Sequence, residues 1–350
     1  MALAPIPLVS GMTRVTRAWV IDTDSGTEHE VGVTTADVTV DRKSECRRAL
    51  TATIGDDVDP ALLSAPHRLR IQSGYRVGGR DVLAPLAHVR LGKRSRTPLG
   101  LWQVSGTSFE SLVRGARFAV PRRVEGSAVA AIAALIREAV PWATVVISTT
   151  RDIHLPGSGL VFPRERLEAI VGREESLATA VGVDVYCDGD GQFVIADPPS
   201  LASQAWDTRG FVSDWSESVD PSGVVNSWVV STDHPDVDPT RGIADDNDTW
   251  SPTRIARWGM AREFLSSPVL SSEAEALRAA ATLLDGSRGV RVDMDLTTPP
   301  NPWADVTEPV TAVGSGGAGT FLLDRLTHRV SHDLNEQLSM SAAGRRVSLA

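Results

Sequence analysis

Residues Asp245–Leu296, DDNDTWSPTRIARWGMAREFLSSPVLSSEAEALRAAATLLDGSRGVRVDMDL, read in order as an acidic loop, a short bridging segment, one amphipathic helix and a strand. Ser271 or Ser272 can cap the helix, which the pattern predicts over Glu273 to Leu284 with Gly286 as its stop. Nothing in the stretch pairs a nucleophile with a base, spaces ligands for a metal or builds a glycine cradle for phosphate. A long ordered connector without chemistry points to a scaffold.

Short strands lie on either side of it. Thr13 to Val20, Val31 to Val40 and Arg48 to Ile54 alternate apolar and polar residues, the period of half-buried strands. Further strands are expected at Arg68 to Gln72, Val82 to Leu91 and Leu99 to Ser105, with a turn at Val77 to Gly79 and no helix before about Gly126. The middle of the chain changes character. Ser127 caps a helix stopped by Pro141, Trp142 to Ser148 reads as a buried strand, and Pro163 opens a helical stretch divided at Gly172. Asp188-Gly189-Asp190-Gly191 then joins two strands as a hairpin. Beyond the acidic loop, strands are expected at Val290 to Leu296, Val306 to Val313, Phe321 to Val330 and near Glu336 to Val347. The fold class is therefore α+β and predominantly β. Residues 1–115 form a first β-barrel region. An α/β module follows at 116–205, with helices at 127–140 and 163–182 and a hairpin at 183–197. A second β-barrel region covers 206–350, with the helix at 273–284 and parts free to interleave with the first, so that two tube-like antiparallel barrels flank the inserted module.

Composition narrows the function classes. Of the 350 residues 42% are hydrophobic and 23% charged, the balance of a chain that folds throughout. A net charge of −9 argues against nucleic acid as the main partner, which needs a basic face. Arginine supplies the cations apart from Lys43 and Lys93, which suits fixed contacts with carboxylates. Cys46 and Cys187 match no paired-cysteine pattern and read as buried or half-buried thiols. No window approaches a membrane span, and the N-terminus lacks the pattern of a signal peptide.

Several apparent motifs dissolve on inspection. Gly314 to Gly319 fits GxGxxG with Asp333 downstream, but a dinucleotide fold needs a helix and further βα units after the glycines, so a hairpin loop is expected. Asp233, His234, Asp236 and Asp238, and then Asp245, Asp246, Asn247 and Asp248, place oxygen ligands close together. A calcium loop at Asp245, Asp246, Asn247 and Asp248 is the one metal possibility, although no central glycine or closing glutamate gives an EF-hand register. Asp and Asn also gather in loops because they cap turns. His328 and His332 share a strand face by parity and have no cysteine pair beside them. No metalloprotease, esterase-elbow or cysteine-nucleophile pattern is present. Nine tryptophans, scattered from Trp19 to Trp303, default to core and interface roles. No catalytic residue and no cofactor is assigned.

The segments ADDNDTWSPT, FLSSPVLSSEAEALRAAATLL and VDMDLTTPPNPWADVTEPVTAV resemble the C-terminal half of tail proteins from actinobacterial phages. ADVTVDRKSECRRALTATIGDD and ESLATAVGVDVYCDGDGQFVIAD resemble the same proteins' early and middle segments, in the same order. Trp303-Ala304-Asp305 departs from the pattern, which has glycine before the aspartate. The resemblance is to the baseplate hub, or tail-tip hub, of long-tailed phages. It implies a trimeric ring with two tube-like barrels per chain, six in all, joining a six-fold tail tube to a three-fold spike or fibre. The partners it implies are further copies of the chain, a distal tail or tube protein above, a spike or fibre protein below and the tape measure protein in the lumen. DNA meets it only in transit. The implied location is the tail tip of the virion, after assembly in the host cytoplasm. Two other classes stay open at this point: a tail-associated cell-wall hydrolase, and a β module that binds host-surface sugars.

Overall fold

The computed structural model describes residues 13–155, 157–171, 176–199, 206–207, 214–233, 238–314, 317–331 and 338–346. The N-terminal third is almost all strand: β1 (Thr13–Ile21), β2 (Glu28–Glu30), β3 (Val33–Asp41), β4 (Arg48–Ile54), β5 (Arg68–Val77), β6 (Arg80–Arg96) and β7 (Trp102–Thr107). The expected strands are present, and β6 runs on past Leu91. A helix comes earlier than expected. α1 (Glu110–Gly115) is only six residues long, too short for a helical period to show against the strands before it.

In the middle, β8 (Arg122–Val124) and β10 (Leu160–Phe162) pair as a ribbon around α2 (Ala128–Ala139) and β9 (Val145–Ser148). The Ser127 hydroxyl accepts the Ala130 amide and so caps α2. α3 (Arg166–Ile170) and α4 (Leu177–Val181) replace the single helical stretch, and the Gly172 break between them lies outside the described residues. β11 (Asp184–Cys187) and β12 (Phe193–Ala196) form the expected hairpin, and β9 adds parallel to β12. The buried strand read from Trp142 to Ser148 is instead a sheet edge. Its β-branched residues are there, but Ile147 is 49% exposed and Trp142 46%.

The remaining strands are β13 (Trp206–Asp207), β14 (Asp214–Asp220), β15 (Ser227–Thr232), β16 (Arg241–Asp245), β17 (Arg262–Ser267), β18 (Val290–Thr298), β19 (Pro309–Gly314), β20 (Gly317–Leu322), β21 (Arg325–Ser331) and β22 (Leu338–Arg346). The helices are α5 (Ile255–Trp258) and α6 (Glu273–Ser287), the latter capped by Ser272. The strand expected at Phe321 to Val330 divides at Leu323-Asp324 into β20 and β21. β19 and β20 pair antiparallel as far as Gly314↔Gly317 on either side of the glycine run, whose residues 315–316 lie outside the described residues.

Strands from both ends of the chain enter one eleven-stranded sheet, ordered β14-β18-β22-β21-β3-β4-β7-β6-β5-β1-β2. The seam between its halves is β21 against β3, paired from Arg325↔Asp41 to Ser331↔Thr35. Among the described residues the pairing runs open from β14 to β2 and does not close a barrel. The edge strand β2 carries carboxylates in EHE, all exposed, the kind of charge that blunts edge-to-edge association.

The hydrogen-bond ladder slips once between β5 and β6, where Ile71 pairs Ala87 and Gln72 pairs Pro85. Leu86 is the extra residue of this bulge, and Pro85, which has no amide hydrogen to donate, sits where the ladder can tolerate it. The middle module docks here. A Cβ on Gly189 would lie 2.2 Å from the Pro85 carbonyl oxygen, and one on Gly191 would lie 2.5 Å from the Phe109 ring. The Asp-Gly hairpin turn is therefore glycine-rich for a second reason, close approach to the sheet. Trp142 completes the joint: Phe109 meets it edge-on at 4.9 Å, and the Arg68 guanidinium stacks over it at 3.6 Å.

Candidate assembly surface

The acidic loop is built from Asn226 outward. Asn226 is fully buried ahead of β15, and its amide nitrogen donates to the carbonyls of Thr253 (2.8 Å) and Gly259 (2.7 Å). Its side-chain oxygen accepts the Ala261 amide at 2.8 Å, and its own carbonyl accepts the Asp246 amide at 2.9 Å. One residue, through its side chain and its main-chain carbonyl, thus ties both ends of the segment 246–261 together. Asp246, buried in turn, accepts the hydroxyls of Ser251 (2.5 Å) and Thr253 (2.9 Å), and the Thr253 hydroxyl also accepts the Gly289 amide. The Ser-Pro-Thr triplet is therefore a clamp that holds a buried carboxylate.

Three of the four residues of the expected calcium loop take separate partners. Asp245 accepts from Ser227 at 2.6 Å and from Arg262 at 3.3 Å; Asp246 turns inward. Asn247 is exposed, and Asp248 accepts the Trp250 amide and lies 3.7 Å from Arg288. Among the described residues no group of three or more His, Cys, Asp or Glu is arranged to hold a metal ion. Asp233 and Asp238 are exposed, while His234 and Asp236 lie outside the described residues, as do His332 and Asp333.

What the clamp displays is apolar. α6 covers one face of the sheet β16-β15-β17, packing its alanines on Val230 and Leu265. It comes so close that a Cβ on Gly242 would lie 2.1 Å from the Leu277 amide. The opposite face carries Ile243, Val229 and Phe264 in register across the three strands, with Phe264 68% exposed. Trp250 (77% exposed), Trp258 and Met260 are exposed on the clamped loop between β16 and β17. Five large apolar side chains within twenty-two residues exceed the scattered exposure normal for a surface.

Polar chemistry concentrates elsewhere, under the β3–β4 turn. Arg48 on β4 donates to the Leu86 carbonyl freed by the bulge (2.9 Å) and to Asp305. Burial alone would raise the Asp305 carboxyl, but Arg48 and Arg47 beside it hold it below the usual carboxylate range. Burial and the Arg48 charge push His328 on β21 down to about 4, so it sits neutral in the core. Next to this group opens a cleft of about 640 Å³ between the β3–β4 turn and the middle module. Arg47 stacks on Tyr186 at 4.0 Å and pairs Asp184 at 3.6 Å; Arg42 pairs the same carboxylate at 3.3 Å. Arg114–Glu45 (2.9 Å) and Arg117–Glu165 (3.1 Å) close its rim.

The nucleophiles near the cleft are quenched. Burial and the Glu110 carboxylate push the Cys46 thiol up to about 11 and Cys187 well above its usual value; burial takes Tyr186 to about 12. This seam joins residues 47, 48, 110, 184, 305 and 328, and sequence reading missed it. Its only local signal is the Arg47-Arg48 pair inside a strand-entry segment.

Among the described residues no helix is long and apolar enough to cross a membrane. No family model matches the chain, and no curated protein does. Solved structures do. A tail protein from Neisseria meningitidis superposes over 95% of this chain and 98% of its own, with a TM-score of 0.63 at 14% identity. This chain shares the fold of that tail protein. The prophage tail protein gp18 of Listeria monocytogenes matches over 93% of this chain and 94% of its own, with a TM-score of 0.62 at 9% identity. An Escherichia coli component of the type VI secretion system, described as structurally similar to the T4 phage tail proteins gp27 and gp5, matches 91% of this chain and 74% of its own, at 0.50 and 11% identity.

Proposed function

We propose that this chain is a structural protein of a phage-type tail and occupies the hub of the baseplate. The observation that carries the reading is the fold match along nearly the whole chain to a tail protein of the same extent. The likeness to a type VI component, itself compared with gp27 and gp5, favours the hub over other positions in the tail. On this reading three copies form a ring. The two halves of the large sheet, joined at β3 and β21, supply the two tube-wall segments per chain that match a six-fold tube to a three-fold spike or fibre. The tube protein lies above the ring and the tape measure protein within it. The acidic chain repels DNA passing through the lumen. The quenched thiols and the self-paired charges of the cleft fit a protein without turnover.

The face of Ile243, Val229 and Phe264, with Trp250 on the neighbouring loop, is the contact between copies or to the next tail protein. Mass measurement of the purified chain, with particle imaging of tails carrying a tag on it, tests the assignment. The expected result is a trimer and a label at the tail tip; a stable monomer missing from virions defeats it. Phe264→Ser and Trp250→Ser should leave the melting temperature within about 2 °C, as surface changes do, and abolish assembly. The exposed tryptophans also keep a sugar-binding role in view, which a glycan array separates: specific binding lost in Trp250→Ser favours it over the hub.

A further inference from the structure

The cleft beside Arg47 holds an unused set of hydrogen-bonding groups. Glu110 is buried, and its Oε1 accepts the Arg47 amide at 3.3 Å and the Cys187 amide at 2.8 Å. Its Oε2 has no partner among the described residues, and neither has Nη1 of Arg47; both atoms are closed off from solvent, in walls of the cleft that the two residues help to form. A buried acceptor and a buried donor left unpaired are each unfavourable, so a group that pairs them gains by doing so.

The third element is main chain. β11 forms one wall of the cleft with Val183, Asp184, Val185 and Tyr186, and it is the edge strand of its sheet. Cys187 turns its amide to Glu110, and its ladder partner Phe193 turns its own to Thr144, so this pair exchanges no hydrogen bonds. Two residues along, Val185↔Ile195 is the same kind of pair, because antiparallel ladders alternate. The Val185 N–H and C=O therefore face outward into the cleft, and among the described residues no main-chain bond meets them. On either side the edge is closed, by Ala178 accepting the Val183 amide and by Glu110 accepting that of Cys187.

The rim charges pair with one another, so an occupant gains little from carrying net charge. What stays open is one donor, one acceptor and the outward N–H and C=O of one residue. That is the complement of a polypeptide backbone, which offers N–H and C=O in alternation. We propose that the cleft receives an extended peptide segment of a neighbouring protein chain, which adds to β11 as a short strand. The segment meets Val185 with a pair of main-chain hydrogen bonds and offers an amide to Glu110 and a carbonyl to Arg47. In placing that neighbour in an assembled tail, the proposal rests on the reading above.

Hydrogen exchange at the Val185 amide tests this, comparing the isolated full-length protein with the same protein in purified tails. The expected result is rapid exchange in isolation and exchange slowed about tenfold or more in tails, the effect of one acquired hydrogen bond. Val185→Pro removes the donor at an outward edge position where proline is tolerated, and it should fold but enter tails poorly; Val185→Ala should enter them normally. A photo-cross-linking amino acid in place of Arg114 at the rim should capture one defined peptide of a neighbouring chain. Unprotected Val185 in tails that contain the protein overturns the cleft proposal alone. Protection already present in isolation, or protection without any cross-linked peptide, overturns it as well. Absence of the protein from tails overturns both this and the hub reading.

Discussion

Two polar assemblies in this molecule solve the same problem by opposite routes. The Asp246 clamp draws its partners from one neighbourhood of the chain: Asn226, Ser251, Thr253 and Gly289. The seam around Arg48 draws them from everywhere, since Leu86, Asp305 and His328 come from a bulge, a turn and a strand far apart in sequence. The clamp fixes a loop so that it can display side chains. The seam fixes one half of the large sheet to the other and to the middle module. A local network stabilises its own segment; a long-range network stabilises the whole architecture, and its failure should be global.

The sharpest way to break that contrast is Arg48→Met. It leaves Asp305 without its main partner and the bulge carbonyl of Leu86 without a donor. Arg48 is 3% exposed and Asp305 26%, so the loss should approach without reaching the about 3–5 kcal/mol of a fully buried pair, read as a fall in the urea midpoint with the slope unchanged. Arg48→Met with Asp305→Leu should recover much of the loss, because no charge is then stranded. If the single variant unfolds no more easily than Asp246→Ala, the seam is not a long-range tie.

Acid probes the same seam. His328 has a folded pKa of about 4, against an ordinary value near 6.5, so between those values the unfolded chain binds a proton that the folded one refuses. Stability from this group is intact above about pH 6.5 and declines as pH falls towards 4, by about 3 kcal/mol for a shift of this size. Asp305, depressed by its arginines, adds a further loss as pH falls below the ordinary carboxylate range. Urea titrations at pH 7, 5.5 and 4.5 should show the decline, and His328→Leu should flatten the upper part of it. A stability independent of pH between 7 and 4.5 would contradict a neutral buried His328.

This difference in range also explains how much of the molecule is legible in its sequence. The strands Thr13–Ile21, Val33–Asp41 and Arg48–Ile54 and the helix capped by Ser272 follow from periodicity and capping, which are local. The Ser-Pro-Thr loop is contiguous, so its residues stand out even though their role as a clamp does not. α1 was missed because six residues show less than two helical turns, and β9 looked buried because β-branched residues suit both a core strand and an edge. The seam was invisible for a different reason. Arg47, Glu110, Asp184 and Asp305 come together only once β21 has paired with β3 and the Gly189-Gly191 turn has docked on Pro85. No spacing in the chain encodes that. The order of the eleven strands is hidden in the same way, since β14 and β22 belong to one sheet with β1 only through tertiary pairing.

The clamp should respond more mildly. Asp246→Ala strands the Ser251 and Thr253 hydroxyls in a buried site and should be destabilising by about 2 kcal/mol. The damage should stay local: faster proteolysis or hydrogen exchange within 246–261, while β3 and β21 keep their protection. Loss of protection across the large sheet would show that the loop is tied into the core more widely than its hydrogen bonds indicate.

Calcium is the smallest effect and the finest test of the comparison. The clamp leaves one atom over, because Asp246 Oδ2 takes both hydroxyls and Oδ1 has no partner among the described residues. A cation at Oδ1 would need neighbours, yet Asp245 is committed to Arg262 and Ser227, and Asp248 faces Arg288. Calcium coordination takes six to eight oxygens, and a site that must first break two arginine pairs to collect them gains little. Adding millimolar calcium after chelation should therefore move the melting temperature by less than about 1 °C, because a ligand stabilises only in proportion to its occupancy of the folded state. A rise of several degrees, lost in Asp246→Ala and kept in Asp238→Ala, would show that Asp245 and Asp248 can release their arginines. The loop would then be a clamp that a cation completes, and its independence from the rest of the molecule would no longer hold.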